Sequence, residues 1–168
     1  MPEKASVIVG RSISFEGVFS VSGICGLVDA YFDKRGYNRN VMASVETVKP
    51  AGKFIKFVTV YKRTINDYAR YEIEIGLNFE NITSLDVVKG GAKMKMNKGQ
   101  ISVGIDSWVI TDYDKSWETR PTFYFLRTLM NKFFFKNIHQ QWEDDIKRDV
   151  EDLCTEVGSY FNLQQYQK

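Results

Sequence analysis

The segment RYEIEIGLNF, residues 70–79, alternates between polar and apolar side chains over its length. Its apolar positions are Tyr71, Ile73, Ile75, Leu77 and Phe79. Because successive side chains of a strand point to opposite faces, this period of two is typical of a strand with one buried face and one wet face. Antiparallel sheets commonly have one solvated face, whereas parallel sheets are buried on both faces. The segment therefore predicts an antiparallel sheet that covers a core.

Similar patterns surround this segment and extend the predicted sheet. Strands are predicted near residues 6–19, 41–48, 53–65, 70–80, 82–88, 92–98 and 100–111. The turn signals between them are Pro50-Ala51-Gly52, Asn66-Asp67, Asn81, Gly90-Gly91 and Asn97-Lys98-Gly99. Connections this short leave no room for crossover helices, so we expect consecutive strands to pair as an antiparallel meander.

Two segments change to helical spacing. The first predicted helix covers residues 22–35, where Ser20 or Ser22 can cap the start and Gly36 can end it. The second runs onward from Ile138, and its apolar stripe is Trp142, Ile146, Val150, Leu153, Cys154, Val157 and Phe161. Its opposite face is predicted to be solvated and acidic, with Glu143, Asp144, Asp145, Asp149, Glu151, Asp152 and Glu156.

The stretch just before the last helix is the most aromatic and basic part of the chain. On a helix over residues 121–136, apolar side chains would cover more than half of the circumference. Part of that surface should pack on the domain, and the remainder predicts a gate, a dimer contact or a membrane contact. A purely buried core helix remains the alternative.

The order of strand, helix, about six meandering strands and long C-terminal helix resembles the helix-grip superfamily, also called START-like, SRPBCC or birch-pollen-allergen-like. The resemblance covers Ser12 to about Phe161 and depends on element order and length. It implies an α+β fold in which a curved antiparallel β-sheet of six to seven strands grips a long C-terminal helix. It also implies a single helix-grip domain over residues 1–168 and an apolar cavity between sheet and helix, without indicating a particular ligand.

The apolar parity of the sheet supplies the candidate lining of such a cavity. Small-molecule sites are mostly apolar with few polar groups, and methionines adapt to irregular apolar shapes. The predicted ligand-binding residues are Tyr61, Tyr71, Ile73, Ile75, Leu77, Met94, Met96, Val103, Ile105, Phe133, Trp142 and Ile146. The alternative is that these side chains simply fill a core.

Catalytic and metal chemistry find little support in the sequence. His139 is the only histidine, and it has no identifiable nucleophile or acid to work with. Cys25 and Cys154 are isolated, which predicts free thiols in a reducing compartment and a cytoplasmic protein. One histidine and two distant cysteines lack the ligand spacing of a zinc site. We therefore predict no catalytic residue, no metal site and no cofactor.

The charge distribution is uneven although the net charge is only +2. Residues 34–63 and the lysines at positions 89, 93, 95 and 98 are basic, while the acids concentrate in the last helix. This asymmetry predicts a dipolar molecule whose positive side can attract an anionic membrane surface. A solvated strand face is the simpler interpretation. Nucleic acid is not an expected partner, because the aromatic residues do not interleave with the lysines.

Three functions fit these patterns. The first is non-enzymatic binding or transport of a hydrophobic small molecule or lipid in an internal cavity. The second is a protein-interaction module that uses the sheet or the aromatic 121–136 helix, and a homodimer is one form of it. The third, a cyclase-type or hydrolase-type enzyme, is the weakest because no catalytic set is present. An enclosed cavity would favour the first function, and a filled core with an exposed apolar patch would favour the second.

Overall fold

The structure is a computed structural model that describes residues 3–113 and 135–165. It has α+β architecture, as the sequence predicts. The elements in chain order are β1 (Glu3–Phe19), α1 (Val21–Lys34), β2 (Asn38–Lys49), β3 (Gly52–Thr64), β4 (Ala69–Lys89), β5 (Ala92–Thr111) and α2 (Phe135–Gln165). Most of the predicted helix over residues 121–136 lies outside the described residues.

The strands form one antiparallel sheet in the order β1-β5-β4-β3-β2. The first strand therefore pairs with the last one, and the other strands follow as the predicted meander. The antiparallel sheet is confirmed, but the prediction of six to seven strands is wrong, because the described sheet has five.

The miscount has a physical cause at a β-bulge. Residues 70–80 and 82–88 belong to the single strand β4, and residues 92–98 and 100–111 to the single strand β5. The β4–β5 register shifts between Glu80 and Thr83, where Asn81 has a φ of 54°. A Cβ on Gly99 would lie 2.7 Å from the Glu80 carbonyl oxygen. Asn81 and Gly99 therefore serve a bulge, although the sequence presents them as turn signals.

Both predicted helices are confirmed over the described residues. The Ser20 hydroxyl accepts a hydrogen bond from the Gly23 backbone N–H at 3.0 Å, which caps α1. Gly36 follows α1 with a φ of 75°, a conformation that glycine adopts without steric cost. The α2 positions buried along the predicted stripe are Ile146, Val150, Leu153, Val157 and Phe161.

The two helices pack on the same face of the sheet, which we call the inner face. Phe32 of α1 stacks on Tyr61 of β3 with ring centroids 4.1 Å apart. Phe161 of α2 stacks on Phe15 of β1 at 4.6 Å. Between them lie the buried β4 and β5 residues Ile73, Ile75, Leu77, Phe79, Ile101, Val103 and Ile105. Burying a side chain of this size stabilises the fold by roughly 1.5–3 kcal/mol.

Candidate functional site

Most of the predicted ligand-binding residues belong to the packed core. Those on the inner face or on α2 are Tyr61, Tyr71, Ile73, Ile75, Leu77, Val103, Ile105 and Ile146, and each is buried. Ile73, Val103, Ile105 and Ile146 are each 0% exposed. Trp142 is half-buried and packs against this core and against the small cluster of Tyr68 and Ala69. Phe133 lies outside the described residues. The predicted lining is therefore closely packed against the helices.

Met94 and Met96 do not lie on the inner face, so the prediction that they line a cavity there is wrong. The register of β5 with β1 and β4 is continuous on the β5 side, so Met94 and Met96 share a face with Ser102. That face is opposite to the one carrying Ile101 and Val103. The prediction placed a turn at Gly99, and a turn there would let residues 92–98 face either side of the sheet. Instead, β5 continues through Gly99 as a single strand, so the alternation of faces is unbroken.

Met94 and Met96 instead lie on an extension of the sheet. The β1–β5 pairing ends at Phe19 with Asn97, and the β3–β4 pairing ends at Lys53 with Ile82. Beyond these pairs, β4 and β5 continue to the Gly90-Gly91 turn with only each other as neighbours among the described strands. We call residues 83–98 the arm. Its strands are about 20 Å long at the usual rise per residue.

One face of the arm is apolar. Leu85 pairs with Met96, and Val87 pairs with Met94, so four apolar side chains form a continuous ladder on the outer side of the sheet. Met94 is 48% exposed, and the other three side chains are half-buried. We call these four residues the apolar ladder. The sequence shows their alternation, but only the register reveals that α1 and α2 lie on the opposite side of the sheet.

The other face of the arm is cationic and mostly polar, and its one exposed apolar side chain among the described residues is Val88, opposite Lys93. Lys93 and Lys95 are exposed there, together with Asp86, which pairs directly with Lys95. The arm contains four lysines and one aspartate, a formal charge of +3. The exposed acids of α2 include Asp144, Glu151, Asp152 and Glu156. Negative charge therefore concentrates on the exposed face of α2 and positive charge on the arm, whereas Arg35 and Arg63 of the basic region 34–63 pair with Asp149 of α2.

A polar cluster around Asp149 fixes α2 to the rest of the fold. Its carboxylate accepts a hydrogen bond from the Tyr37 hydroxyl at 2.7 Å. It also pairs with the guanidinium groups of Arg63 at 3.2 Å and Arg35 at 3.4 Å. The Tyr31 hydroxyl donates to the backbone carbonyl of Asp149. Asp149 was predicted to lie on a solvated face, but its side chain is only 14% exposed, so that prediction is wrong.

The tyrosines near this cluster are held in the neutral form. Burial raises the pKa of Tyr71 to about 12, assisted by Asp145 and opposed by Arg63. Burial, followed by its hydrogen bond to Asp149, raises the pKa of Tyr37. The same causes, with Asp29 as the partner, raise the pKa of Tyr61. The Tyr37 and Tyr61 hydroxyls therefore donate hydrogen bonds to Asp149 and Asp29 at neutral pH, and these bonds brace the fold.

A second polar group lines an open cavity of about 360 Å³ between α1 and the start of β2. The Tyr61 hydroxyl donates to Asp29 at 2.5 Å, and Arg39 pairs with the same carboxylate oxygen at 3.2 Å. Burial, followed by the negative charge of Asp29, raises the pKa of Cys25 to about 11. The Cys25 thiol is therefore protonated at neutral pH, which makes it a poor nucleophile.

The outer face of the sheet is polar near its centre. A cavity of about 360 Å³ opens there beside Ser14, Glu16, Asn78, Glu80, Gln100 and Ser102. The Gln100 amide donates to Glu16 at 3.1 Å. Glu72 belongs to the polar set of residues 70–79, whose face the alternation predicts to be wet, yet it is buried because Arg70 at 2.7 Å and Lys62 at 3.5 Å cover it. The outer face therefore differs sharply from the apolar ladder that continues it.

No protein-family model matches this chain, and neither a curated protein nor a solved structure matches it significantly. Within residues 3–113 and 135–165, no helix is both long and apolar enough to cross a membrane. The same residues include no group of three or more histidine, cysteine or acidic side chains placed to hold a metal ion. Cys25 and Cys154 are free thiols, as predicted.

Proposed function

We propose that this chain is a protein-interaction module that docks a partner protein through the arm. The observation that carries the proposal is the contrast between a closely packed inner face and a partly exposed apolar ladder. The inner-face side chains are almost fully buried, whereas Met94 is 48% exposed and Val88, on the opposite side of the arm, is 65% exposed. Exposed apolar groups of this kind, grouped on one element, commonly mark a contact surface.

The packing also supports the resemblance to helix-grip proteins. A long C-terminal helix lies on an antiparallel sheet, and its apolar stripe enters the core. In this proposal the helix and sheet provide a rigid base, and the arm provides the contact. Methionine suits such a role because its flexible side chain can adapt to a partner's surface.

Site-specific photo-crosslinking in cells tests the proposal. A photoreactive amino acid at Met94 should form covalent adducts with a discrete partner protein. The control is Thr155, an exposed position on the far side of α2. Equal adduct formation from both positions, or none from Met94, would overturn the proposal.

A hydrophobic-ligand carrier is the second candidate, and the position of Trp142 favours it. Trp142 is half-buried at one end of the core, where an apolar molecule bound beside α2 would contact its ring. Native mass spectrometry after mild purification should then detect a bound lipid, and added fatty acid should shift Trp142 emission. Ligand-free protein with unchanged emission would remove this candidate and leave the interaction module.

A further inference from the structure

The free edges of the arm define what can pair with it. Hydrogen-bonded and non-hydrogen-bonded pairs alternate along an antiparallel ladder. The pair that closes the two-residue Gly90-Gly91 turn, Lys89 with Ala92, is a hydrogen-bonded pair. Counting along the ladder, the pairs without mutual hydrogen bonds are Val88–Lys93, Asp86–Lys95 and Ser84–Asn97, and Asn97 already pairs with Phe19 of β1. The backbone N–H and C=O groups of these residues therefore point outward, to the two edges of the arm.

The two edges differ in charge. On the β5 edge, Lys93 and Lys95 offer their backbone groups, and their exposed side chains lie on the polar face of the arm. On the β4 edge, the corresponding residues are Asp86 and Val88. A strand placed beside β5 would have one set of side chains next to the lysines and the alternate set next to Met94 and Met96. The β5 edge thus selects a strand whose acidic and apolar residues alternate.

We propose that the β5 edge of the arm binds an extended segment of a partner protein with alternating acidic and apolar residues. The segment adds as a strand beside Ala92–Met96, where no described strand of this chain pairs. Its acidic side chains face Lys93 and Lys95, and its apolar side chains extend the apolar ladder. This inference rests on the proposed function, because it names the partner chemistry for the same arm.

Charge distinguishes this occupant from a second copy of the chain. Two arms placed edge to edge would each contribute a formal charge of +3, and like charges on facing strands repel. Backbone chemistry distinguishes it from a membrane. An open hairpin in the apolar layer would leave its edge N–H and C=O groups without partners, whereas an added strand satisfies them. An acidic polypeptide therefore matches both the charge and the backbone of this edge.

A peptide titration tests the inference. The probe is a fluorescein-labelled peptide of alternating isoleucine and glutamate, matched in length to the free edge. It should bind the full chain, and the double variant K93E/K95E should bind it at least tenfold more weakly. The same variant should gain affinity for a peptide of alternating isoleucine and lysine. Equal binding of both peptides by the original and reversed arms would overturn the inference.

Two proline variants identify the edge. Lys95 and Asp86 form one pair of the ladder, and each directs its N–H to a different open edge. Proline at either position removes one outward donor and spares the hydrogen bonds between β4 and β5. Lys95→Pro should weaken peptide binding well beyond Lys95→Ala, which removes the charge alone, whereas Asp86→Pro should bind the peptide as Asp86→Ala does. The reverse order, or loss in both variants while both retain the arm's Met94 methyl signals in NMR spectra, would contradict the inference.

The outcomes separate this inference from the proposed function. Crosslinks from Met94 without any peptide binding would retain the interaction module but reject strand addition beside β5. Another outcome is that the chain sediments with phosphatidylglycerol vesicles, that K93E/K95E does not, and that neither peptide binding nor a Met94 protein adduct is found. This outcome would assign the arm to a membrane and reject both the strand addition and the interaction module. Arm-dependent dimers in light scattering would replace the acidic partner with a second copy.

Discussion

Strands β4 and β5 pass through two very different surroundings. In residues 69–80 and 100–111 they are flanked by β3 and β1 and covered by α1 and α2, and the inner-face side chains are almost fully buried. In the arm, the same antiparallel ladder continues without flanking strands among the described residues. A two-stranded hairpin is only marginally stable alone. The part of the fold outside the arm, which we call the body, therefore supplies most of the stability, and the arm contributes little.

The largest expected effect is loss of stability of the body at high pH. The folded-state pKa of Tyr71 is about 12 against 10.0 for the free side chain, and those of Tyr31, Tyr37 and Tyr61 are also raised. These neutral tyrosines therefore contribute their full stabilisation below pH 10, and that contribution is lost as the pH rises toward their folded-state pKa values. Urea denaturation at neutral pH and at about pH 11 should show the decrease. A free energy of unfolding that stays constant over this range would contradict it.

The next effect comes from the Asp149 cluster. Asp149→Ala removes the largely buried carboxylate that Arg35 and Arg63 share, which should lower the free energy of unfolding by about 2–4 kcal/mol, somewhat less than for a fully buried pair. The control is Asp152→Ala, because that side chain is 52% exposed and its one ion pair among the described residues is with Arg35, at 3.2 Å. The control should cost at most about 1 kcal/mol. Equal losses in the two variants would show that Asp149 does not act as a buried centre.

Shortening a side chain on the inner face should lower the free energy of unfolding by an amount similar to, or somewhat smaller than, that of Asp149→Ala. Ile105 is 0% exposed in the core between the sheet and the helices. Ile105→Ala should therefore lower the free energy of unfolding by about 2–5 kcal/mol, and Ile105→Val by about 0.5–1.5 kcal/mol. Chemical denaturation measures both. A loss well below 1 kcal/mol for Ile105→Ala would mean that space remains beside it, which would revive the internal-cavity hypothesis.

A substitution at the junction between body and arm should lower the free energy of unfolding by less than a core truncation and by more than a surface change. A Cβ at Gly99 would lie 2.6 Å from Ile82 Cδ1 and 2.7 Å from the Glu80 carbonyl oxygen, and the backbone contact cannot be relieved by a rotamer change. Gly99→Ala should cost about 1–3 kcal/mol through this crowding. Hydrogen exchange should also become faster in the arm. Gly104→Ala is the matched control, because its nearest contact would be an ordinary 3.8 Å.

The same junction shows what the sequence could and could not predict. Alternation in residues 70–79 correctly predicted a buried face, and helical spacing predicted α1 and the stripe of α2. Both patterns are local, since each depends on side chains within one element. Asn81 and Gly99 resemble turn signals, but they sit opposite one another in a bulge. That pairing joins positions distant in sequence, so single-chain periodicity cannot predict it.

The face on which Met94 and Met96 lie was mispredicted for a related reason. The sequence shows that Met94 and Met96 alternate with Lys93 and Lys95, but it does not show which set faces the helices. The assignment depends on register across the bulge, because a shift of one residue exchanges the two faces. Asp149 was also misplaced, since its helix position resembles that of its solvated neighbours. Its burial follows from Tyr37, Arg35 and Arg63, which come from distant parts of the chain.

The smallest expected effect on stability is at Met94. Met94 has the hydrophobic character of a core residue, yet it lies on the outer face of the arm with 48% of its surface exposed. Met94→Ser should therefore change the free energy of unfolding by at most about 0.5 kcal/mol, as is usual for surface substitutions. It should nevertheless weaken binding of the isoleucine–glutamate peptide, because the apolar ladder loses one of its four side chains. Thermal melts and peptide titrations on the same sample measure both quantities. A large loss of stability would place Met94 in a packed core, whereas unchanged peptide binding would show that the apolar ladder does not contact the added strand.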